Sequence, residues 1–319
     1  MSTDAYEADV VVVGGGVIGL TTAIVLAERG RRVRVWAKEP SEQTTSAVAG
    51  ALCWPYHIEP AELVGAWAVR SLQEYEALAG DPGATGVRRV AGVQADTPLD
   101  FMPVWTEALP GAREATADEL PEGYGQGLRA TVPLIDMRAH LGYLTRRLLA
   151  AGGAVEARAV SGFDEAARVA PVVVNCSGLG ARELVPDASV EPVRGQLVVV
   201  ENPGIEEWFA APNSPTEITY MLPQPFGVVL GGTSQPGSWD RTADPATARA
   251  IVERCARVHP ALAKARVLEH RVGLRPVRPA VRIEREVLVG GGVLVHNYGH
   301  GGAGVTVAWG CAEAAAELA

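Results

Sequence analysis

Cysteine is scarce in this sequence, and its distribution excludes the common cysteine-built sites. The four cysteines, Cys53, Cys176, Cys255 and Cys311, lie far apart and form no C-x-x-C pair. Disulfide frameworks and zinc sites need paired or clustered cysteines. No predicted helix carries an H-x-x-x-H histidine pair either. We therefore expect reduced thiols that pack in the core, and no metal ion.

Positive charge is also in short supply. The chain has 28 Lys and Arg residues against 37 Asp and Glu, a formal net charge of -9. Nucleic acids and anionic membranes bind through a surplus of Lys and Arg, so we expect neither as a partner. One uncharged run, residues 10–27, approaches the length of a membrane-spanning helix, but glycines interrupt it and its flank is acidic. We expect a cytoplasmic protein.

The first forty residues predict a β-α-β unit. An apolar β-branched run at 9–13 leads through a glycine turn into a helical pattern at 17–29, which Gly30 ends. A second strand begins at 33–36. This order opens a doubly wound parallel sheet, and the uninterrupted valines of 170–177 suit a further strand covered on both faces.

A second lobe is predicted where the pattern changes. Residues 80–127 are broken by Gly and Pro, and residues 193–272 contain short or alternating strands. Helices are predicted at 62–79, 137–150 and 246–258. The predicted fold is α/β, with a Rossmann-type lobe and a mixed α+β lobe between which the chain crosses. The predicted boundaries give 1–78, 136–187 and 283–319 to the first lobe, and 79–135 and 188–282 to the second.

A G-x-G-x-x-G motif lies between the first strand and the first helix. Gly14 permits the tight turn, Gly16 lets the backbone approach a pyrophosphate, and Gly19 allows close packing of helix on sheet. Val17 and Ile18 open the helix, whose free N–H groups attract an anion. This placement predicts dinucleotide binding.

The residue that holds the ribose is left open. A carboxylate about 20 residues beyond the glycines normally has this role, and Glu39 lies at that distance. The predicted strand ends at Ala37, however, so Glu39 lies two residues too far along. It is either a ribose ligand or an exposed loop charge, and Lys38 could reach a phosphate instead.

Two further segments favour a flavin over a nicotinamide. Residues 44–56 (TTSAVAGALCWPY) combine hydroxyl side chains with small residues that let backbone N–H groups approach a ring, although an ordinary Ser/Thr loop would look the same. Residues 296–306 (HNYGHGGAGVT) place a glycine loop before a helix. The positive end of that helix could stabilise the negative charge of a reduced flavin by about 1 kcal/mol.

These segments also carry a family resemblance. VVVGGGVIGL, TTSAVAGALCWPY, VVVNCSG, GLRPVRPAVRIERE and HNYGHGGAGVT occur in the order and spacing of the D-amino-acid oxidases, which this chain resembles nearly end to end. The resemblance implies non-covalent FAD as cofactor. It also implies hydride transfer from the α-carbon of a neutral D-amino acid to flavin N5, giving a 2-oxo acid and ammonia, with dioxygen reduced to hydrogen peroxide.

The resemblance further implies a substrate site. Arg282 matches the arginine that holds the substrate carboxylate, and a planar guanidinium suits this bidentate role. Tyr220 matches a pocket tyrosine that bonds the same carboxylate, and the Gly302 carbonyl would accept from the substrate amine. Arg275 and Arg278, in the same segment, are interpreted as packing against prolines and surface carboxylates.

Three more positions bear on the substrate pocket. Trp54 and Tyr56 are expected to line it, and tyrosine at 56, where acid-specific relatives tend to have histidine, favours neutral substrates. Thr216 falls where many members have a second pocket tyrosine, which threonine cannot replace. The active-site loop is also short here, so substrate access is expected to depend less on loop opening.

Cofactor contacts transfer from the family in the same way, with Arg158 and Val160 the least distinctive because an alternating strand explains them equally well. The predicted contacts beyond the first motif are Thr44, Thr45, Ser46, Gly50, Ala51, Leu52, Arg158, Val160, Ser177, Gly299, His300, Gly301, Gly304, Val305 and Thr306.

Other functions stay open at this point. Within the enzymes these are a D-aspartate or glycine oxidase, or a flavin dehydrogenase with another electron acceptor. Outside them, a dinucleotide-binding sensor would keep the first glycine motif. The oligomeric state is also open, with a homodimer as one option.

Overall fold

The structure, a computed structural model, describes residues 6–319 except for the side chain of Asn213. Its α-helices are α1 (Val17–Glu28), α2 (Thr45–Val48), α3 (Ala61–Leu78), α4 (Pro82–Thr85), α5 (Pro103–Ala108), α6 (Met137–Ala150), α7 (Asp164–Ala167), α8 (Ala181–Leu184), α9 (Pro245–Val258) and α10 (Gly304–Glu317). Short 3₁₀ helices occupy Ser41–Gln43, Gly178–Gly180 and Pro260–Lys264.

The strands join into one sheet. They are β1 (Val10–Val13), β2 (Val33–Ala37), β3 (Val87–Ala95), β4 (Arg113–Glu114), β5 (Gly127–Ile135), β6 (Ala154–Ala157), β7 (Val172–Asn175), β8 (Glu191–Val200), β9 (Trp208–Ser214), β10 (Glu217–Gln224), β11 (Gly227–Thr233), β12 (Gln235–Pro236), β13 (Val267–Val287) and β14 (Val293–His300). The sheet order is β4-β5-β3-β9-β10-β11-β8-β13-β14-β7-β1-β2-β6, and β12 pairs with β8.

One end of the sheet is the predicted parallel part. Strands β14, β7, β1, β2 and β6 run parallel, with Val10 opposite both Val33 and Val172. The valines of β1 and β7 are buried, as expected for strands covered on both faces. The predicted β-α-β unit is confirmed, and α1 ends where Gly30 takes a φ of +85°.

The other end of the sheet is mainly antiparallel. Strands β8, β11, β10 and β9 pair antiparallel, as do β3, β5 and β4, and only β3 and β9 pair in parallel. A separate hydrophobic core forms here between α9 and these strands, centred on Ile251, Val198 and Leu230. The mixed α+β character predicted from the change of pattern is confirmed.

The two ends of the sheet meet along β13, a strand of 21 residues. Its first part, through Val277, pairs with β8, and its last part, from Arg282, pairs with β14. The register shifts between these two residues. One sheet runs through both parts of the molecule, so the predicted division into two lobes stays a prediction. Residues 1–5 of the predicted first lobe lie outside the described part of the chain.

The predicted helices are present with small differences at their ends. The carboxylate of Asp136 accepts from the N–H groups of Arg138 and Ala139 and so caps α6, as its position before the helical pattern indicated. Among the helices of residues 6–319, none combines the length and the apolar character that a membrane crossing needs.

Candidate active site

A cavity of about 960 Å³ lies where the parallel and antiparallel parts of the sheet meet. Its wall combines both glycine segments, the 44–57 segment, and residues of β8, β10, β11 and β13. The predicted cofactor residues that line it are Gly14, Gly16, Val17, Ile18, Lys38, Glu39, Thr44, Thr45, Ser46, Gly50, Ala51, Leu52, Ser177, His300, Gly301, Gly304, Val305 and Thr306.

The first glycine turn closes tightly on β7 and α1. Gly14 has a φ of +123°, and a Cβ there would lie 2.3 Å from the carbonyl oxygen of Cys176. A Cβ on Gly19 would lie 1.9 Å from the Gly14 oxygen, so Gly19 serves packing of helix on turn and does not itself line the cavity. The N–H of Val17 donates to the Ser46 hydroxyl at 3.0 Å. The N-terminus of α1 thus opens onto the cavity beside a hydroxyl group.

Lys38 and Glu39, the two charged candidates for binding the adenosine ribose or a phosphate, lie just after β2. The strand ends at Ala37, as predicted, and both Lys38 and Glu39 line the cavity directly beyond it. Glu39 is half-buried and Lys38 is exposed. Both side chains are therefore within the region where an adenosine ribose or phosphate would lie.

The threonine hydroxyls of the 44–56 segment are already bonded within the protein. Thr44 donates to the carbonyl oxygen of Ser41 at 2.6 Å, and Thr45 donates to that of Leu274 at 3.1 Å. Thr45 thereby ties this segment to β13. Hydroxyl oxygens can still accept, but the first role of these two residues is to hold the loop.

Gly50 shows that the flavin-side segment is built for close approach. A Cβ at this position would lie 2.7 Å from Leu222 and 3.8 Å from the hydroxyl of Tyr220. The next residue, Ala51, has a φ of +60° and also lines the cavity. A larger side chain at 50 would fill the space over Tyr220.

The second glycine segment links β14 to α10 and borders the cavity. Gly301 has a φ of +54° and its N–H donates to the carbonyl oxygen of Pro276 at 2.9 Å. Burial lowers the pKa of His300 to about 3, so the imidazole is neutral. The Thr306 hydroxyl bonds both the N–H and the carbonyl oxygen of Trp54, at 3.1 and 2.9 Å. This pair of bonds fixes the aromatic turn against α10.

Besides Gly19, three further predicted cofactor contacts do not line the cavity. The guanidinium of Arg158 lies 3.7 Å from the ring centre of Trp36 and pairs with Glu165 at 3.6 Å, so the aromatic face and the carboxylate hold it elsewhere. Val160 packs into the hydrophobic cluster that contains Trp36. Gly299 lies near the end of β14 with a φ of +89°, packed against the side chain of Arg278. The predictions for these three are corrected accordingly.

Arg275 lies at the place in the cavity where Arg282 was expected. Its guanidinium lies over Gly195, where a Cβ would come within 2.5 Å of Nη1, and Nη1 donates to the carbonyl oxygen of Thr233 at 3.0 Å. A Cβ on Gly302 would lie 3.4 Å from Arg275 Cδ and 3.2 Å from the Tyr56 ring. No carboxylate within residues 6–319 forms an ion pair with Arg275. Its positive charge is free to bind an anion in the cavity.

Arg282, by contrast, lies outside the cavity wall. Its Nε pairs with Glu284 at 2.8 Å, Nη2 pairs with Glu286, and Nη1 donates to the Tyr298 hydroxyl at 2.9 Å. The prediction that it faces the substrate is therefore corrected. Strand side chains alternate between faces, and Arg282 follows Arg275 by seven residues and a register shift.

Tyr220 faces the cavity as predicted. Its ring covers Gly231, where a Cβ would lie 1.8 Å from the ring carbon Cζ, so only glycine fits beneath it. Burial raises the pKa of Tyr220 to about 12, and the positive charge of Arg275 offsets this only in part. The phenol is consequently a neutral hydrogen-bond donor. Trp54 and Tyr56 also line the cavity.

Thr216 is the remaining correction. It is exposed in the turn between β9 and β10 and borders a separate pocket of about 350 Å³. Ile218, two residues later, lines the main cavity instead. The strand places 218 and 220 on one face, whereas 216 precedes the strand. Sequence reasoning also missed Trp239 and Arg241, which line the cavity from the loop after β12, where no motif marks them.

These residues fit a dinucleotide cofactor. The N-termini of α1 and α10 both border the cavity, so backbone N–H groups face it at two places. Glycines leave room at each: a Cβ on Gly16 would lie 3.0 Å from the Ser46 hydroxyl. His300 Nε2 is buried without a hydrogen-bond partner among the described residues. Phosphates suit the first place and a planar ring with polar edges suits the second.

Comparison with known proteins agrees with this geometry. The family model described as FAD dependent oxidoreductase matches residues 9–318. A D-amino-acid oxidase of Streptomyces coelicolor is 62% identical over 318 residues, covering 99% of this chain and 98% of the relative. Another, from Rubrobacter xylanophilus, is 52% identical and covers 97% and 95%. The chain therefore belongs to the FAD-dependent oxidoreductases of the D-amino-acid oxidase family.

More distant relatives share the fold. A human D-aspartate oxidase is 35% identical, covering 98% of this chain and 94% of the relative. The crystal structure of a glycine oxidase from Geobacillus kaustophilus superposes with a TM-score of 0.81 at 21% identity, covering 98% of this chain and 95% of that one. At that identity the likeness concerns the fold alone.

Proposed function

We infer that this chain is an enzyme that oxidises D-amino acids with FAD as its cofactor. The observation that carries the proposal is the position of the Arg275 guanidinium. It forms no ion pair with any residue of 6–319 and lies in the cavity wall beside Tyr220 and Gly302. The 62% identity to a named D-amino-acid oxidase supports D-amino-acid oxidation as the reaction of this site. When bound, FAD supplies the acceptor for the hydrogen and electron pair that leave the substrate α-carbon.

The side chains of the site orient the substrate. Arg275 binds the carboxylate through charge-assisted hydrogen bonds, and the neutral Tyr220 hydroxyl donates to the same group. The Gly302 carbonyl accepts from the amine. These three contacts hold two of the groups on the α-carbon and so fix the direction of its hydrogen, and this orientation is the main contribution of the protein.

No side-chain base is assigned to the reaction. His300, the imidazole of the glycine loop, is neutral and buried, with a pKa of about 3. At that pKa it would be a weak proton acceptor. The amine therefore reacts in its neutral form, its lone pair replacing the electron pair of the departing hydride. Water then converts the imino acid to the 2-oxo acid and ammonia.

Neutral D-amino acids are the proposed substrates, and dioxygen the proposed electron acceptor. Tyr56 supports the first choice because it adds an apolar ring and no positive charge beside Gly302. Arg241 at the cavity wall is the observation that keeps D-aspartate as a second candidate. FAD is proposed to bind without a covalent bond, in a cytoplasmic protein.

A substrate panel tests the proposal. Purified holoenzyme is mixed with D-alanine, D-valine, D-aspartate, glycine and the L-enantiomers, and hydrogen peroxide is measured in air. Peroxide from neutral D-amino acids is expected. Flavin bleaching by D-alanine without air, but no peroxide in air, would indicate a dehydrogenase. No bleaching by any amino acid would contradict the proposal and leave the sensor.

A further inference from the structure

The two other arginines of the Arg-Pro segment are linked to one carboxylate, Arg278 directly and Arg282 through a tyrosine hydroxyl. Arg278 Nε donates to Asp187 Oδ2 at 3.0 Å, and the Tyr298 hydroxyl donates to the same oxygen at 2.7 Å. Arg282 Nη1 donates in turn to that hydroxyl at 2.9 Å. We call these four residues the Asp187 cluster. Its side chains are mostly buried, with that of Asp187 12% exposed.

The cluster joins three segments that each reach the cavity. Asp187 follows residues 178–183, of which several line the cavity. Arg278 lies in the register shift of β13, three residues after Arg275. Tyr298 lies in β14, four residues before the glycine whose carbonyl is assigned to the substrate amine. One carboxylate thus ties the cofactor side of the cavity to both substrate-binding segments.

The charge of Asp187 is well compensated. Burial would raise the pKa of Asp187, but hydrogen bonds from Ser189, Tyr298 and Arg278 together hold it below its usual range. Both Ser189 bonds go to Oδ1, at 2.5 Å from the hydroxyl and 3.0 Å from the N–H. The carboxylate is therefore charged throughout the working pH range, and each of its oxygens is engaged. Such a group fixes the position of what it binds.

Contacts lead from the cluster to the substrate site. A Cβ on Gly299 would lie 2.9 Å from Arg278 Cβ, so Arg278 lies directly against the end of β14. Pro276, two residues before Arg278, accepts from the N–H of Gly301 at 2.9 Å. A shift of Arg278 would move the Pro276 backbone, and with it both Arg275 and the Gly301–Gly302 turn.

We propose that Asp187 is a positioning residue for substrate binding: by holding Arg278 and Tyr298 it fixes Arg275 and the Gly301–Gly302 backbone where the carboxylate and amine of the substrate bind. The proposal deepens the proposed function and rests on it. It also gives a role to Arg282, which supports Tyr298 from the far side of the cluster. Asp187 itself touches neither substrate nor reacting atoms.

The test is the holoenzyme of the Asp187→Asn variant, which keeps the size of the side chain and removes its charge. Propionate, which is D-alanine without its amine, is titrated while the flavin spectrum is followed, and kcat and KM are measured for D-alanine. The Kd for propionate and the KM should each rise about tenfold, short of the roughly 100-fold loss that gross misplacement causes, with kcat falling less than about threefold. Glu284→Gln, which removes an exposed partner of Arg282, is the matched control and should leave Kd within about twofold.

A lowered melting temperature with the propionate Kd within twofold of the parent would overturn the proposal, because a purely structural role predicts that pattern. Should Asp187→Asn not fold, Tyr298→Phe removes a single hydroxyl, and an unchanged Kd there overturns the proposal equally. A parent enzyme that binds propionate but does not oxidise D-alanine overturns the proposed function alone. A parent that binds no propionate overturns both.

Discussion

The two halves of β13 carry the same residue type in opposite situations. In the half that pairs with β8, Arg275 has a neutral carbonyl partner and no carboxylate within the described residues. In the half that pairs with β14, Arg282 has two glutamates and a tyrosine hydroxyl. A buried charge without a counter-ion is costly, so it is retained where a ligand supplies that counter-ion. The difference teaches that partners, more than residue type, distinguish a binding arginine from a structural one.

Replacing Arg275 should have the largest effect. Arg275→Ala removes the carboxylate contact and the orientation it gives, so we expect kcat/KM for D-alanine to fall at least ~100-fold. FAD should stay bound, because the glycine turns that hold it lie on other elements. Arg275→Lys should rescue only in part, since a point charge cannot replace a planar fork. Steady-state kinetics measures this, and near-normal turnover by the alanine variant would contradict the assignment.

Gly195→Ala should weaken the same contact without removing a charge. The new Cβ would lie 2.5 Å from the Arg275 guanidinium, which must move to make room. We expect KM for D-alanine to rise about tenfold while the melting temperature stays within a few degrees. A control replaces a glycine away from the cavity. Gly237 is unsuitable because its positive φ would strain an alanine. Gly162, with open space around it, is the better control, and Gly162→Ala should leave KM unchanged.

Replacing Arg282 should affect stability more than activity. Arg282→Ala breaks its bonds to Glu284, Glu286 and Tyr298, so the free energy of unfolding should fall by about 1–3 kcal/mol. Through Tyr298 the Asp187 cluster loosens, but kcat/KM should fall less than about tenfold. Denaturant unfolding and kinetics on one preparation separate the two quantities. A loss of activity equal to that of Arg275→Ala would contradict the difference in role between the two halves of β13.

The smallest expected effect concerns pH. Because burial raises the pKa of Tyr220 to about 12, its phenol stays protonated below that pH and keeps donating to a bound carboxylate. The group would lose its proton, and the contact, only as pH rises toward 12. We therefore expect the propionate Kd to change less than about twofold between pH 7 and 9.5. A steep rise in Kd over this range, absent in Tyr220→Phe, would show that Tyr220 ionises earlier.

Much of the fold was readable from the sequence, because local patterns determine it. The valines of β1 and β7 and the glycines around α1 gave the parallel part with its boundaries nearly right. Strand β13 was not readable as one element, since prolines and a register shift interrupt its alternation. That same shift hides which arginine faces the cavity, and the family resemblance was matched to Arg282.

A larger share of the residues predicted for the cofactor than of those predicted for the substrate lines the cavity. Glycine turns before helices leave a local signature, and those at Gly14 and Gly301 both border the cavity. The substrate end is built from single residues on β10, β11 and β13, whose facing depends on strand pairing. Trp239 and Arg241 come from a loop held by long-range bonds of Arg194, a buried side chain that bonds the carbonyls of Asp240 and Thr242. No local sequence pattern indicates such long-range contacts.

The most direct test of the central claim is a crystal structure of the holoenzyme with propionate bound. The account predicts the propionate carboxylate on the Arg275 guanidinium, with N to O distances of about 2.7–2.9 Å, and Arg282 still paired with its two glutamates. Density for the carboxylate on Arg282, with Arg275 turned away, would contradict the account.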